Sequence, residues 1–211
     1  MSNIYDINTT QSKDKRVKAF YDKAMKELIS FYNVNWVNNT PVIYLVDSRN
    51  DFSVMAGYNT QDWEVGKAFD HNKLLLLSPD SYEKDSSHKY SDNEYYSLIK
   101  HELSHFFFNI LSNDEKPVWL NEGFAIYTSD QLSKKERPKV LKNFLRYYSY
   151  EDKDVYSESG FVVEGLINKY GKDKVLDFLK LLPNVNSEDD FKREFEKYFE
   201  MKLEYGSVGK L

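Results

Sequence analysis

The feature that most constrains the fold is the stretch 101–105, which reads His-Glu-Leu-Ser-His. It lies inside a largely apolar run, residues 95–111, that contains neither proline nor glycine and therefore predicts a helix. Residues four positions apart share one face of a helix, so His101 and His105 can face the same metal ion. Zinc takes neutral imidazole ligands, and a catalytic site keeps a water as its fourth ligand. Glu102, one step round the helix, is placed to take a proton from that water.

The same five residues also fit a solvated or packed helix face, so a second element is needed to decide between the two interpretations. Residues 117–125 read Pro-Val-Trp-Leu-Asn-Glu-Gly-Phe-Ala, and Pro117 suits the start of a helix. This places Glu122 in the first turns of a second helix, joined to the first by the short polar loop 112–116. A glutamate from a neighbouring antiparallel helix completes a His₂Glu ligand set. Gly123, beside it, predicts a close approach of two helices.

Together, HELSH and the downstream WLNEGFA resemble the gluzincin branch of zinc metallopeptidases, which pairs H-E-x-x-H with W-L-x-E-G-x-A. The chain is most similar to the small, single-domain peptidase MA-like members of that clan. The resemblance implies one Zn²⁺ per chain, held by His101, His105 and Glu122, with Glu102 as the general base. It further implies that the chain hydrolyses peptide bonds in a peptide or protein substrate. Residues 55–59 lack the acidic residue with which the clan's aminopeptidases hold a substrate amino terminus, and this favours internal cleavage.

Two other functions remain open at this point. The fold could serve as a peptide- or protein-binding module, or regulator, with little or no general proteolytic activity. The presence of Glu102 argues against that alternative, because a pure binding module needs no general base. A third hypothesis is a cytoplasmic regulator that cleaves one specific protein. The sequence does not identify the substrate.

The segment before the motif predicts a small β-sheet. A helix precedes it at residues 11–33, and strand-like runs follow at residues 41–46, 63–69 and 73–78. This order resembles the N-terminal sheet of gluzincins, in which substrate pairs with an exposed edge strand. We predict that Leu75, Leu76 and Leu77 form this substrate-binding edge. The alternative is that they form a buried core strand. The predicted fold class is thus α+β: a small N-terminal mixed sheet with the active-site helix, followed by a mainly helical C-terminal part, as in a minimal gluzincin fold.

The part of the chain after the third ligand predicts further helices and one more catalytic candidate. Helical spacing and Pro138 predict a helix that ends near residues 147–150. Tyr156 lies just before another predicted helix, in a pattern that also resembles the small gluzincins. Its phenol could stabilise a developing oxyanion, although most of the 17 tyrosines must be packing residues. His88, in a polar loop, could play the same part or lie idle in solvent.

Composition limits the remaining possibilities. The chain has no cysteine, which excludes disulfides, thiolate zinc ligands and cysteine nucleophiles. A net charge of −5 and the lack of a basic stripe give no reason to expect nucleic acid as a partner. No signal-like stretch or membrane-length apolar run is visible, so we expect a cytoplasmic protein that does not enter a membrane; the oligomeric state is open. We interpret the chain as one metallopeptidase-like domain, 1–211, comprising an N-terminal helix (11–33), a sheet with the HExxH helix (41–112) and a helical subdomain that supplies the third ligand (117–205).

Overall fold

The computed structural model describes residues 9–70, 72–114, 116–150 and 155–211. It has the predicted α+β fold, with a small mixed sheet followed by a mainly helical part. The strands are β1 (Val42–Val46), β2 (Gly66–Phe69) and β3 (Lys73–Leu77). The helices are α1 (Lys15–Tyr32), α2 (Arg49–Ala56), α3 (Pro79–Tyr82), α4 (Asp92–Ser112), α5 (Val118–Thr128), α6 (Val155–Tyr170), α7 (Lys172–Leu179), α8 (Glu188–Phe199) and α9 (Tyr205–Val208). Short 3₁₀ turns lie at Gln131–Lys134, Phe144–Arg146 and Leu182–Asn184.

The sheet has the order β1-β3-β2, so β3 is the central strand. It pairs with β1 in parallel and with β2 antiparallel. The predicted substrate-binding edge at Leu75, Leu76 and Leu77 is therefore wrong, because both sides of their strand are already paired and each residue is 0% exposed. An unbroken apolar run is typical of a strand buried on both faces, which is the core-strand alternative. The edge strand that faces α4 is β2.

Helix α4, which carries the HExxH stretch, packs against α1, α5 and β2. It begins after Ser91, whose hydroxyl accepts a hydrogen bond from the backbone N–H of Glu94 and so caps the helix. Ser104, between the two histidines, is fully buried and lies 2.6 Å from the Tyr32 hydroxyl and 3.0 Å from that of Thr128. This chain of three hydroxyl groups joins α1, α4 and α5, and it fixes the two helices that carry the predicted ligands.

Helices α5 and α6 are in backbone contact at Gly123, as the sequence predicts. A Cβ atom at this position would lie 2.6 Å from the carbonyl oxygen of Ser159 and 2.6 Å from Cγ2 of Val163. Any side chain there would push α6 away from α5. The glycine next to Glu122 thus sets the distance between the third-ligand helix and the helix that carries Tyr156.

The predicted helix that ends near residues 147–150 is wrong. In the described residues between α5 and α6, 129–150, there are only two short 3₁₀ turns, and a buried carboxylate binds backbone N–H groups that a helix would have used. Glu158, 2% exposed, accepts hydrogen bonds from the backbone N–H groups of residues 142–144 at 2.8–3.1 Å. The Tyr147 carbonyl accepts from the N–H of Trp119 at the start of α5. Tertiary partners therefore satisfy the backbone and outweigh the local helical pattern.

Across the four described ranges, none of the helices is both long enough and apolar enough to span a bilayer.

Candidate metal centre

The structure brings the three predicted zinc ligands together. His101 and His105 lie one turn apart on α4, with their ring centroids 4.9 Å from each other. Glu122 reaches them from α5, with Oε2 3.4 Å from Nε2 of His101 and Oε1 3.5 Å from Nε2 of His105. One potential ligand atom from each of the three lies within 4.8 Å of the others. The two oxygens of one carboxylate thus face the two rings.

Burial and neighbouring charges shift the pKa values of His101 and Glu122. His101 is 7% exposed and Glu122 is 6% exposed. Burial alone would lower the pKa of His101, but the Glu122 carboxylate outweighs it and raises that pKa above its ordinary value. Burial likewise would raise the pKa of Glu122, whereas the charges of His105 and His101 bring it below its ordinary value. The buried carboxylate of Glu122 therefore favours a positive charge beside it.

The group fits a zinc ion by its chemistry. Within the described parts of the chain, the buried Oε2 of Glu122 and Nδ1 of His101 have no hydrogen-bond partner. Buried polar atoms without partners are costly, and a cation would satisfy the carboxylate oxygen. Two imidazole nitrogens and one carboxylate oxygen form the His₂Glu set that catalytic zinc accepts. The donor set and its unsatisfied oxygen therefore match a metal of this kind.

Asn121 orients one of the rings. Its Oδ1 lies 2.8 Å from Nδ1 of His105, so the ring donates its Nδ1 proton to the amide and leaves the Nε2 lone pair toward Glu122. From the sequence we hypothesise that either Asn121 or Asp130 could hydrogen-bond a ligating histidine ring. Asp130 instead contacts Lys100, whose Nζ lies 3.3 Å from its Oδ2. The structure thus places one of the two candidates at the site.

Glu102 faces the edge of the sheet. Its Oε2 accepts a hydrogen bond from the backbone N–H of Ala68 on β2 at 3.0 Å. Gly66, on the same strand, leaves room for this carboxylate, since an added Cβ would lie 3.0 Å from Oε1 of Glu102 and 2.9 Å from Cδ1 of Leu98. The absence of a side chain at Gly66 lets the edge strand approach α4 at the point where Glu102 is exposed to the cavity.

One open cavity of about 790 Å³ is lined by His101, Glu102, His105, Asn121 and Glu122. Tyr156, in the first turn of α6, also lines it, with its ring centroid 6.5 Å from that of His101. His88 lies on the rim, with Nε2 2.9 Å from the carbonyl oxygen of Trp63. The sheet contributes β2 to the wall, and Leu75, Leu76 and Leu77 are not among the lining residues.

Two lining residues, Gly66 and Lys135, have no functional signal in the sequence. The pattern around Gly66 indicates only a close approach or a bulge within a strand. Lys135 belongs to a basic stretch whose ordinary interpretation is a solvated surface. Only the folded chain brings them to the cavity wall.

The comparisons with known proteins give no functional name. No protein-family profile matches the chain, and no solved structure matches it. The chain is 27% identical over 173 residues to the uncharacterized protein YhcO of Bacillus subtilis (strain 168). The match covers 70% of this chain and 52% of that protein, so the chain spans about half the length of the relative.

Proposed function

We propose that the chain is a zinc-dependent peptidase of the gluzincin type that cleaves within peptide chains. The observation that supports this most strongly is the convergence of His101, His105 and Glu122 beside Glu102 on the wall of one open cavity. Two imidazoles and one carboxylate would hold the zinc, and a second carboxylate, Glu102, would remain available for proton transfer. Metal-assisted hydrolysis needs both a site for the metal and a general base beside it.

Each residue has a distinct part in the reaction. Zinc, when bound, polarises the substrate carbonyl and makes a water molecule more acidic. Glu102 takes a proton from the attacking water at its carboxylate and returns it to the leaving nitrogen. Its hydrogen bond from Ala68 keeps the carboxylate on the cavity wall. Asn121 holds the ring of His105 in the tautomer that leaves Nε2 available.

The edge strand β2 supports a peptide as the substrate. Val65 accepts a hydrogen bond from Leu77 of the central strand at 3.1 Å, and pairing alternates along an antiparallel strand. Gly66 and Ala68 therefore turn their backbone groups away from β3 and toward the cavity, which they line. The N–H of Ala68 is already bound to Glu102, so an extended peptide that enters the cavity can add to this edge through the remaining outward main-chain groups.

Tyr156 is the candidate for stabilising the negative charge that develops on the carbonyl oxygen. Its place on the cavity wall near His101 supports this role. The alternative, a packing tyrosine, predicts that Tyr156→Phe leaves the turnover number unchanged. A loss of turnover with unchanged zinc content favours the catalytic role.

The test combines metal analysis with peptide cleavage. Zinc content is measured by elemental analysis in the wild type, in Glu122→Gln and in the surface control Glu188→Gln. Cleavage of a peptide library is measured in the wild type and in Glu102→Gln. We expect one zinc per chain in the wild type and the control, and no stoichiometric zinc in Glu122→Gln. We also expect Glu102→Gln to keep its zinc and to lose cleavage.

Other results would lead to other conclusions. Zinc bound normally without cleavage of any peptide by the wild type would favour the binding module, or a protease for a single protein. Cleavage of one component of a lysate would then separate those two. A wild-type protein that takes up no zinc, even after metal is added back, would overturn the proposal.

A further inference from the structure

Lys135 lies on the wall of the cavity that holds the three metal-ligating side chains. It follows the 3₁₀ turn Gln131–Lys134 and is half-buried, whereas Glu136 and Arg137 are exposed. Burial lowers the pKa of the Lys135 ammonium, and the negative charge of Glu122 acts in the opposite direction. The ammonium is therefore close enough to the ligand carboxylate to interact with its charge.

The position of Lys135 is fixed from both sides by contacts with α6. Before it, Leu132 packs on Gly160, where an added Cβ would come within 2.9 Å of the leucine Cδ2. After it, Arg137 forms an ion pair with Glu164, and Glu158 binds three successive backbone N–H groups. These contacts hold the backbone on either side of Lys135 against α6, beside the cavity.

The other acidic groups on the cavity wall already have partners. Glu64 accepts a hydrogen bond from the Tyr58 hydroxyl at 2.7 Å, Asp70 pairs with Lys73 at 2.7 Å, and Glu94 pairs with Lys134 at 2.6 Å. Within the described ranges of the chain, Lys135 forms no ion pair with any of these carboxylates. Of the other two lysines on the wall, Lys134 is the partner of Glu94, and Lys67 lies over the Tyr58 ring at 4.3 Å.

The charge balance of the site leaves the Lys135 ammonium without a counter-ion. With neutral histidines, the two positive charges of a zinc ion are balanced by the carboxylates of Glu122 and Glu102. Lys135 then adds one positive charge to a partly buried wall, where charge pairing is stronger than in bulk water. A cavity in this state favours a ligand that brings one negative charge of its own.

We propose that Lys135 is a specificity residue that pairs with a carboxylate of the bound peptide. This inference rests on the proposed peptidase function and names a substrate class for it. The carboxylate has two sources, the C-terminal carboxylate of a short peptide and the side chain of an aspartate or glutamate. Both have the same chemistry, so the experiment must separate them.

Binding is measured in zinc-loaded Glu102→Asp protein, in which the shorter side chain withdraws from the attacking water but keeps its negative charge, so that the result does not depend on turnover and the charge of the cavity is unchanged. The probes are three hexapeptide pools: one with free C-terminal carboxylates, one with amidated ends, and one with amidated ends and a fixed glutamate. The variants, made in the same background, are Lys135→Gln, Lys135→Arg and the control Lys139→Gln, which alters an exposed lysine of the same segment that does not line the cavity. Zinc content confirms that each variant retains the folded site.

We expect a carboxylate-bearing pool to bind about ten- to a hundredfold more tightly than the neutral pool, the range for a charged hydrogen bond. Lys135→Gln should abolish this preference, while Lys135→Arg and Lys139→Gln keep it. Preference for the first pool identifies the C-terminal carboxylate, and preference for the third identifies an acidic side chain. A preference that survives in Lys135→Gln, or equal binding of all pools, overturns the inference.

The same design separates this inference from the proposed function. A carboxylate preference that depends on Lys135, without cleavage of any peptide or of any lysate protein by the wild type, would refute the peptidase and leave the binding role of Lys135 standing. Cleavage by the wild type, with equal binding of the three pools, would support the peptidase and refute the role of Lys135 in specificity. A uniform fall in kcat in Lys135→Gln, with unchanged affinity for every pool, would place Lys135 at the reacting oxygen and also refute a role in specificity.

Discussion

The substitution Gly123→Ala tests whether backbone contact between α5 and α6 sets the position of Glu122. The added methyl group would lie 2.6 Å from the carbonyl oxygen of Ser159, which is 0.8 Å closer than the 3.4 Å at which ordinary contacts begin. A backbone atom cannot move aside by changing rotamer, so one of the two helices must shift. Because Glu122 is the preceding residue on α5, that shift displaces the ligand carboxylate.

The expected cost follows from two opposing effects. Overpacking a core costs about 1–3 kcal/mol, and backbone contact places this site at the upper end of that range. Replacing glycine by alanine within a helix returns up to about 1 kcal/mol. We therefore expect Gly123→Ala to lower the free energy of unfolding by about 2 kcal/mol and the melting temperature by roughly 4–8 °C.

The assay is urea denaturation of the zinc-free protein, followed by a competition titration for zinc. Gly206→Ala is the matched control, because a Cβ at Gly206 of α9 meets no atom within 4 Å. The control should be as stable as the wild type or slightly more stable, with unchanged zinc affinity. If Gly123→Ala matched the control in both stability and zinc affinity, the reasoning from helix contact would be refuted.

Three other substitutions probe the parts of the site separately. Asn121→Leu removes the partner of the His105 ring, and we expect zinc affinity to fall about 10- to 100-fold in a competition titration; unchanged affinity would show that the 2.8 Å contact does not orient the ring. Gly66→Ala crowds the Glu102 carboxylate, so peptide cleavage should fall while zinc content is kept; a loss of zinc instead would mean that β2 supports the ligands rather than the base. Glu158→Gln removes the charge that binds three backbone N–H groups, and it should lower the free energy of unfolding by about 1–3 kcal/mol in urea denaturation. The exposed Glu136→Gln serves as its control, and equal stability of the two variants would contradict the role of Glu158.

The parts of the fold that the sequence predicts well are those governed by local periodicity. The runs at residues 11–33 and 95–111 become α1 and most of α4, because an apolar face repeated over several turns leaves few alternatives to a helix. The spacing of the ligands is also local: His101 and His105 share a helix face whatever surrounds them. Their grouping with Glu122 depends on only one short connection between two helices.

The failures come from long-range partners. A run of leucines does not show whether its strand has one neighbour or two, so the position of Leu75, Leu76 and Leu77 depends on the order of the sheet. The helix predicted near Pro138 does not form, because Glu158, from a later helix, accepts hydrogen bonds from backbone N–H groups of that segment. Lys135 reaches the cavity wall only because both of its flanks are tied to α6. None of these contacts has a signature within a window of a few residues.

Two of the contacts that hold the ligand helices in place do not involve the metal ligands, and this has a consequence for metal removal. Ser104 joins α4 to α1 and α5 through its hydroxyl partners, and Gly123 sets α5 on α6. The ligand helices should therefore keep their arrangement without zinc, unlike small domains that fold only around the metal. We expect a chelator to leave the far-ultraviolet circular dichroism spectrum unchanged, and zinc at a hundred times its Kd to raise the free energy of unfolding by about 2.7 kcal/mol. Loss of the helical spectrum on chelation would show that the metal, rather than helix packing, positions the site.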